Sequence, residues 1–401
     1  MIKANVGRSI KPDPKEAGKE AAEIALKGVG GKAKIFFVFS TVAYDQEKML
    51  EGVRSVAKDV PVVGCSSSGE ITTDGPGFRS VAVMALDTDT IDFFIGVGKG
   101  TDKDSFAAGK EAAEEVKKKA EGRPIQLFME FIDGLAENGA AVVRGVQEVF
   151  GKNMVIMGGS AGDDFQFKKT FQYYNDQVFS NAVVGIGLSG KFAFGVGVRH
   201  GWEAISLPFK ITKAEGAKII EIDNRPAVSI YEDYFGKQAE ELKKEPIARL
   251  AYTYPLGLLY PGAPEYLIRD VVFVGEKGEL ICAAEIPEGS EVRLMLGDPD
   301  KAIRAAREAA ENAMNQLKEQ GAKPKAVFVF DCMARCKLLG QGIKTPEECN
   351  TLREVFGYDV PIIGFYTYGE QAPIAGKIGP DAFSVFHNET MTLVALGERE
   401  D

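Results

Sequence analysis

The sequence predicts an α/β fold with mixed β-sheets flanked by helices, built from duplicated β-α-β plus hairpin units in two halves. The first observation is a phrase that occurs twice, as DVPVVGCSSSGEI at 59–71 and DVPIIGFYTYGEQ at 359–371, with a looser copy, MVIMGGSAGDD, at 154–164. In every copy an apolar run ends in glycine and an acid follows six residues later, at Gly64 and Glu70, Gly158 and Asp164, and Gly364 and Glu370. Such repetition indicates a duplicated scaffold, and the divergent loop contents indicate that the loops carry the function.

The segments before each copy follow one order. An apolar strand comes first, at 35–39, 125–131 and 326–330, and an amphipathic helix follows it. In the third copy Thr345 is predicted to cap the helix, with proline at the first helical position. A second strand then ends at the repeated loop, which completes a β-α-β unit. Because these strands are apolar throughout, they are expected to be buried on both faces, with helices covering the sheets.

Pairs of strands that resemble hairpins follow the loops, and a further pair precedes a helix predicted for 299–319. The predicted pairs are 80–86 with 91–97, 182–188 with 192–198, 382–386 with 390–395, and 271–274 with 280–284. The stretch 200–269 breaks the pattern, holds the only tryptophan and is predicted to join the two halves. We therefore predict domains at 1–222 and 223–401.

Composition narrows the class of protein. A chain of 401 residues with 45% hydrophobic and 26% charged residues is typical of a soluble globular protein of two or three domains. No apolar run approaches the roughly 20 residues of a membrane helix, and the N-terminus has no signal-peptide core, so we expect a cytoplasmic protein without a membrane partner. A net charge of −10 without a basic stripe argues against nucleic acid. Five cysteines, an odd number, favour free thiols over disulfides.

The loop GCSSSGE at 64–70 is the first candidate site. A phosphate loop would need lysine and then Ser or Thr after the second glycine, where Glu70 and Ile71 stand instead, and the spacing of a nucleophile elbow is also absent. What remains is a polar loop of small residues that a ligand could approach closely, namely Cys65, Ser66, Ser67 and Ser68. The alternative is a tight connection whose serines cap a helix. Cys65 could be a nucleophile, but a small buried thiol is the interpretation we favour.

Acids supply the second group of candidates. Asp133 in FIDG ends a strand, where it could hold an amino group or accept backbone N–H bonds in a turn. The segment GGSAGDD adds Ser160 and the paired acids Asp163 and Asp164. Paired acids suit an amine, whereas a cation site would draw on more carboxylates, and helix capping is favoured for one of the two.

The third group follows the last apolar strand. Cys332 and Cys336, with Cys349 further on, lack the spacing of a zinc or iron–sulfur site, so neither a metal nor a cofactor is expected. Arg335 could clamp the carboxylate of a ligand or pair with a structural acid such as Glu370. In GFYTYGE, alternation places Phe365 and Thr367 on one side and Tyr366 and Tyr368 on the other, so that one pair could wall a pocket. His387 and Asn388 in FHNET could contact a ligand, or Asn388 could set a turn.

These motifs together resemble the FIST family, with FIST N and FIST C regions in tandem. The motifs are VVGCSSSGEI, FIDGLAENG and MGGSAGDD in the first half, and RHGW, PLG, FDCMARCKLLG, IIGFYTYGEQAP and FHNET in the second. The resemblance implies a sensory module of signal transduction that binds small ligands, with amino acids as the leading suggestion. It also implies a separate output protein, since the chain leaves little room for a fused one. At Cys332 and Arg335 the match favours a structural or ligand role over redox chemistry.

The sequence therefore predicts a non-enzymatic sensor whose small-molecule ligand lies where the repeated loops converge. For an amino acid ligand, Arg335 is expected to bind the carboxylate, and Asp133, Asp164 or a repeat glutamate the ammonium group. Substitution Arg335→Ala should then abolish binding. One alternative is an enzyme that uses Cys65 or a Glu70/His387 pair on an amino-acid-like substrate. Another is a protein-interaction scaffold, which predicts an exposed apolar patch around Tyr366 and Tyr368.

Overall fold

The computed structural model describes residues 1–136, 138–244, 246–260, 263 and 265–399. They form α/β structure with four mixed or antiparallel sheets, three of them covered by helices, which confirms the predicted fold class. Among the helices of these residues, none combines the length and the apolar character needed to span a bilayer.

The first two repeats, unit one and unit two, share one order of elements. Unit one contains β1 (Ile2–Ser9), α1 (Pro14–Gly28), β2 (Ile35–Thr41), α2 (Gln46–Ala57), β3 (Val62–Ser67), β4 (Glu70–Thr72), β5 (Gly75–Gly77) and β6 (Val81–Thr88). Unit two contains β7 (Ile91–Lys99), α3 (Ser105–Ala120), β8 (Leu127–Ile132), α4 (Gly139–Phe150), β9 (Ile156–Ser160), β10 (Gln172–Tyr174), β11 (Gln177–Phe179) and β12 (Ala182–Gly190).

Unit three repeats the order but carries an insertion after its first strand, β13 (Ala193–Arg199). The insertion contains β14 (Trp202–Ala204), β15 (Phe209–Glu215), β16 (Lys218–Ile222), β17 (Arg225–Pro226), α5 (Ser229–Phe235), a 3₁₀ helix (Gly236–Lys243), α6 (Arg249–Thr253), β18 (Leu256–Leu258), β19 (Leu267–Arg269), β20 (Val271–Val274), β21 (Leu280–Cys282) and β22 (Glu291–Gly297). The unit resumes with α7 (Pro299–Glu319), β23 (Ala322–Cys332), α8 (Met333–Leu338), α9 (Thr345–Phe356), β24 (Ile362–Thr367), β25 (Glu370–Pro373), two short 3₁₀ turns (Ile374–Gly376 and Gly379–Asp381), β26 (Ser384–His387) and β27 (Met391–Arg399).

The three units exchange their short hairpins in a closed cycle. Strand β4 of unit one pairs with β24 of unit three, β10 of unit two pairs with β3 of unit one, and β25 of unit three pairs with β9 of unit two. Each of the three six-stranded sheets therefore takes two strands from another unit. The inserted strands form a separate nine-stranded sheet with its own core.

Three of the predicted hairpins are wrong, because the two strands of each pair lie in different sheets. Strand β6 is hydrogen-bonded on one edge to β1 and on the other to β2, so it has no free edge for β7. Strands β12 and β27 are likewise flanked on both sides, and β26 pairs with β25 instead. The pair β20–β21 does form a hairpin, as predicted.

The core lies where the inner faces of the three sheets meet. Phe39, Phe131 and Phe330 occupy equivalent places on β2, β8 and β23, and the ring of Phe365 lies 4.5, 6.3 and 5.8 Å from theirs. Helix pairs α1–α2, α3–α4 and α7–α9 cover the outer faces.

The predicted cap of α9 is displaced by one residue, since Lys344 precedes the helix and the Thr345 hydroxyl accepts from the Gly342 amide. The domain boundary at 222/223 stays a prediction.

Candidate functional site

The three repeated loops meet at the carboxyl ends of the central strands, as predicted. We call residues 64–70, 158–164 and 364–370 the loop ring. Backbone hydrogen bonds link each loop to the other two, from Ser68 N to Tyr366 O (3.1 Å), Tyr366 N to Gly69 O (2.8 Å), Ser160 N to Gly369 O (2.8 Å), Tyr368 N to Ser160 O (3.0 Å) and Gly162 N to Ser66 O (3.0 Å). These bonds join the three loops into a closed ring.

The repeated glycines are explained by close backbone contact. A Cβ atom at Gly64 would lie 1.8 Å from the carbonyl oxygen of Val38, and one at Gly158 or Gly364 would lie 2.0 Å from the carbonyl oxygen of the adjacent strand. Real Cβ atoms cannot approach so closely, and therefore only glycine fits at these three places.

The repeated acids are structural tethers. Glu70 accepts hydrogen bonds from the hydroxyls of Ser67 (2.6 Å) and Ser80, and Glu370 accepts from the Thr367 hydroxyl and the Thr390 amide (3.2 Å). Asp164 accepts from the Thr41 hydroxyl. Burial raises the pKa of Glu70 to about 8 and that of Glu370 well above its usual range. Each acid thus ties its loop to a neighbouring strand.

Other polar residues in and beside the first two loops bind backbone groups or the side chain of Gln371. Ser66 donates to Gly162 O (2.7 Å), and the Ser160 hydroxyl accepts from the side-chain amide of Gln371 (3.2 Å). Asp133 accepts from the amides of Leu135 and Asn181, both at 2.8 Å, and Asp163 accepts from the amides of residues 167–169. The turn alternative therefore holds for Asp133. Asp163 caps a loop, since no helix follows it.

The aromatic residues of the third loop face two different cores. Phe365 and Thr367 point to the central core, whereas Tyr366 and Tyr368 pack on the outer side, as the alternation predicted. Tyr366 is fully buried against Phe78 with the rings stacked 5.9 Å apart, and Tyr368 stacks on Phe167 at 4.8 Å. The exposed apolar patch that the scaffold alternative requires is therefore not present at these tyrosines.

The predicted carboxylate-clamp role of Arg335 is overturned by its contacts with other residues of the chain. The guanidinium is fully buried and binds Asp331 (2.6 Å) and Glu348, together with the carbonyls of His200 and Ala302 (3.0 Å). It joins unit three to the start of the insertion. Arg335 thus pairs with structural acids, which was the alternative prediction, but these acids are Asp331 and Glu348 rather than Glu370.

The residues of the enzyme alternative are buried and separated. Cys65 has no exposed surface, and burial raises the pKa of its thiol well above its usual range. Glu70 is bound to two serines, while His387 lies on β26 in another sheet. Cys332 is buried beside Glu370, with its pKa raised by burial first and then by that carboxyl group.

We predict that Cys65 resists alkylation in the folded protein at neutral pH, because the thiolate is the reactive form and burial disfavours it. Intact-mass measurement after iodoacetamide treatment, followed by peptide mapping, checks this. The same treatment in urea serves as the control and should modify all five cysteines, which are buried in the native state. Rapid native modification at Cys65 would restore the nucleophile hypothesis.

A cavity next to the loop ring offers space for a ligand. It lies between unit three and the insertion, and it has about 340 Å³ of empty volume, counting the part open to solvent. Its lining residues are Val198, His200, Tyr260, Ala263, Glu265, Tyr266, Leu267, Ile374, Ala375, His387 and Thr390. We call it the histidine cavity, since both histidines of the chain line it. Of the predicted site residues, His387 lines this cavity, while Asn388 adjoins it.

The hydrogen bonds of the two histidines assign complementary tautomers. His200 Nδ1 accepts from the Trp202 amide (2.9 Å), so its proton is on Nε2, which lies 4.0 Å from Glu265. His387 Nε2 lies 3.1 Å from the Ala372 carbonyl and carries the proton, which leaves Nδ1 as an acceptor. Burial lowers the pKa of His200 to about 3 and that of His387 to about 4, so both rings are neutral at pH 7.

Sequence reasoning missed His200, Glu265 and the two tyrosines of the cavity. His200 was noted as part of RHGW, but no chemistry was assigned to it. The small number of histidines could have indicated this site. The chain has only two, both lie in motifs of the resemblance, and this suggests that they could lie in the same site. Tyr260, Glu265 and Tyr266 lie in the irregular part of the insertion, where no sequence pattern marks them.

Comparison with known families decides the identity. A profile of the FIST N domain matches residues 34–225, and a profile of the FIST C domain matches residues 227–373. The chain belongs to the FIST family. FIST domains are sensory domains of signal transduction, which agrees with the coarse function predicted from the motifs.

Relatives of this FIST protein occur in distant organisms. An uncharacterized protein of Methanocaldococcus jannaschii is 26% identical over 346 residues, which is 80% of this chain and 64% of that protein. This chain thus spans less than two thirds of that relative. An uncharacterized protein of Mycobacterium tuberculosis is 24% identical over 392 residues, covering 94% of this chain and 96% of that protein. A solved cyanuric acid hydrolase from A. caulinodans aligns over both whole chains with 10% identity and a TM-score of 0.41, which is too remote to bear on function.

Proposed function

We propose that this FIST protein is a non-enzymatic sensor that binds a small molecule, an amino acid, in the histidine cavity and signals to a separate output protein. The observation that carries the proposal is the position of this cavity. It adjoins the loop ring and is lined by both histidines, while the ring itself is closed by backbone hydrogen bonds.

The lining of the cavity suits a free amino acid. Val198, Leu267 and Ile374 offer apolar surface, and the neutral histidines offer one donor and one acceptor. Glu265 at the cavity is half-buried, with its pKa raised by burial.

A sensory role is supported because a ligand in the cavity would contact both unit three and the insertion. His387 and Thr390 belong to unit three, whereas Tyr260, Glu265 and Tyr266 belong to the insertion. A ligand that contacts both parts favours the arrangement in which they are held together, and a ligand shifts a conformational equilibrium only through such differential contacts. The partner that reads this shift is proposed to be a separate protein.

The proposal that the protein is not an enzyme is supported by the burial and the hydrogen bonds of the candidate catalytic residues. Cys65 is buried with a raised pKa, and no described hydrogen bond joins Glu70 to His387. A general base must lie within hydrogen-bond reach of the group it activates.

A thermal-shift screen against the standard amino acids tests the proposal. A ligand at about 100 times its dissociation constant stabilises the folded state by about 2.7 kcal/mol, so a binding amino acid should raise Tm clearly. Val198→Phe, which fills the cavity, should abolish the rise. Val97→Phe is the matched control, because the cross-strand partners of Val97 and Val198 hold equivalent positions in units two and three. No rise with any amino acid would contradict the proposed function, and an equal rise in Val198→Phe would contradict the location.

A further inference from the structure

The wall of the histidine cavity contains a buried hydrogen-bond donor without a partner. His200 is 6% exposed, and its Nε2 atom forms no hydrogen bond among the described residues. Because the Trp202 amide donates to Nδ1 (2.9 Å), the proton of the neutral ring is on Nε2. A buried N–H group that lacks an acceptor costs free energy, so this position favours a ligand atom that can accept a hydrogen bond.

The other buried polar side chains of the wall already have partners. The His387 ring binds the Ala372 carbonyl through Nε2 (3.1 Å), and the Thr390 hydroxyl donates to the Asn388 carbonyl (2.7 Å). Within the described part of the chain, His200 is therefore the buried residue of this wall whose N–H group remains available to a ligand.

Glu265 lines the cavity beside this donor but does not reach it. Its Oε2 atom lies 4.0 Å from His200 Nε2, which is too far for a hydrogen bond. Its Oε1 atom lies 3.7 Å from Arg199 Nε, which is also beyond hydrogen-bond distance. The carboxyl group of Glu265 thus keeps oxygen atoms that can accept a hydrogen bond from a ligand.

The separation of the two side chains suits one bridging oxygen atom. An oxygen about 2.8 Å from both His200 Nε2 and Glu265 Oε2 would see the two atoms at an angle of about 90°, given their 4.0 Å separation. That oxygen must accept from the imidazole N–H and donate to the carboxyl group. A hydroxyl group does both, whereas an ammonium group cannot accept and a carboxylate cannot donate.

We infer that His200 and Glu265 recognise a hydroxyl group of the ligand, which accepts from His200 Nε2–H and donates to the Glu265 carboxyl group. The inference rests on the proposed function for the location of the ligand. It narrows the ligand class to amino acids with an aliphatic hydroxyl group, such as serine and threonine. The rival occupant is a water molecule, which would bridge the same two side chains whatever the ligand.

Calorimetric titration with L-serine and L-alanine tests the inference, because the two compounds differ only in the hydroxyl group. Serine should bind the wild type about 10-fold more tightly, as expected for hydrogen bonds to a buried N–H and a carboxyl group. Glu265→Ala should reduce this preference by a factor of about three or more. Equal affinities for serine and alanine in the wild type, or an unchanged preference in Glu265→Ala, would overturn the inference.

Glu308→Ala is the matched control for this variant. Glu308 Oε2 also lies 3.7 Å from Arg199 Nε, but Glu308 is on α7, outside the described lining of the cavity. Both substitutions therefore remove an acid from Arg199, and only Glu265→Ala removes an acceptor from the cavity. Glu308→Ala should keep the wild-type preference for serine, and an equal loss in both variants would count against a direct role of Glu265.

Glycolate and acetate separate this inference from the proposed function, because they differ in a hydroxyl group and carry no amine. Equal binding of serine and alanine would retain an amino acid cavity and overturn the hydroxyl site. A rise in Tm with glycolate but not with acetate, without a response to either amino acid, would support the hydroxyl site and count against the amino acid proposal. No response to any of the four compounds would contradict both. These comparisons use the wild-type protein and do not depend on the folding of a variant.

Discussion

Substitution Arg335→Ala is expected to lower the free energy of unfolding by about 3–5 kcal/mol, because it leaves Asp331 and Glu348 buried without their cation. The two carbonyls that the guanidinium binds would also lose their donor. Urea unfolding followed by far-UV circular dichroism measures the change. The effect should be on stability, in contrast to the loss of ligand binding that the sequence alone suggested for this residue.

Arg307→Ala is the matched control for this experiment. Arg307 also pairs with a glutamate, Glu354, but both side chains are 41% exposed. Exposed ion pairs contribute only about 0–1 kcal/mol, so this variant should unfold almost as the wild type does. Equal costs for the two arginines would show that the buried network contributes little.

Substitution Glu130→Val is expected to raise the free energy of unfolding by about 1–3 kcal/mol at pH 7, because an unpartnered buried carboxyl group is removed. Glu130 lies on β8 with no exposed surface, and both of its oxygens lack a hydrogen-bond partner among the described residues. Val38 and Val329 stand at the equivalent places in units one and three, and each of the three residues lies opposite the repeated glycine of the next strand. We therefore expect valine to fit at position 130.

The gain should depend on pH in a defined direction. Burial raises the pKa of Glu130 from its usual 4.5 to about 8. Between these values the unfolded chain loses the proton while the folded protein keeps it, so stability falls as pH rises. The advantage of Glu130→Val should thus be smallest near pH 4.5 and grow up to about pH 8.

Urea unfolding of the wild type and the variant across this range measures the advantage. Glu148→Val, at an exposed site on the adjacent helix α4, is the control and should shift stability by less than about 0.5 kcal/mol at every pH. A pH-independent difference for Glu130→Val would contradict a protonated Glu130.

The sequence was sufficient for the β-α-β strands and helices that precede each repeated loop and for the meeting of the loops, because periodicity and strand polarity are local signals. It did not predict β1, α1, α3 or the elements within 200–269. It could not reveal that β6 and β7 enter different sheets, since a two-residue connection is also typical of a hairpin. That outcome depends on β1 and β2 occupying both edges of β6. The interpretation of Arg335 failed for a similar reason, because its acceptors include the carbonyl of His200, 135 residues away.

The cavity was still harder to foresee. Its walls come from the insertion and from unit three, and no local pattern indicates that Tyr260 or Glu265 would face His387.

The cyclic exchange of hairpins joins the three six-stranded sheets through shared strands. Strand β4 lies in the segment matched by the FIST N profile and completes a sheet in the FIST C segment, while β25 of the FIST C segment completes a sheet in the FIST N segment. Neither segment, excised alone, would keep its hydrogen-bonded edges. The boundary between the two profile matches is therefore not a boundary between hydrogen-bonded sheets. Unfolding of any one repeat would remove two strands from the sheet of another repeat.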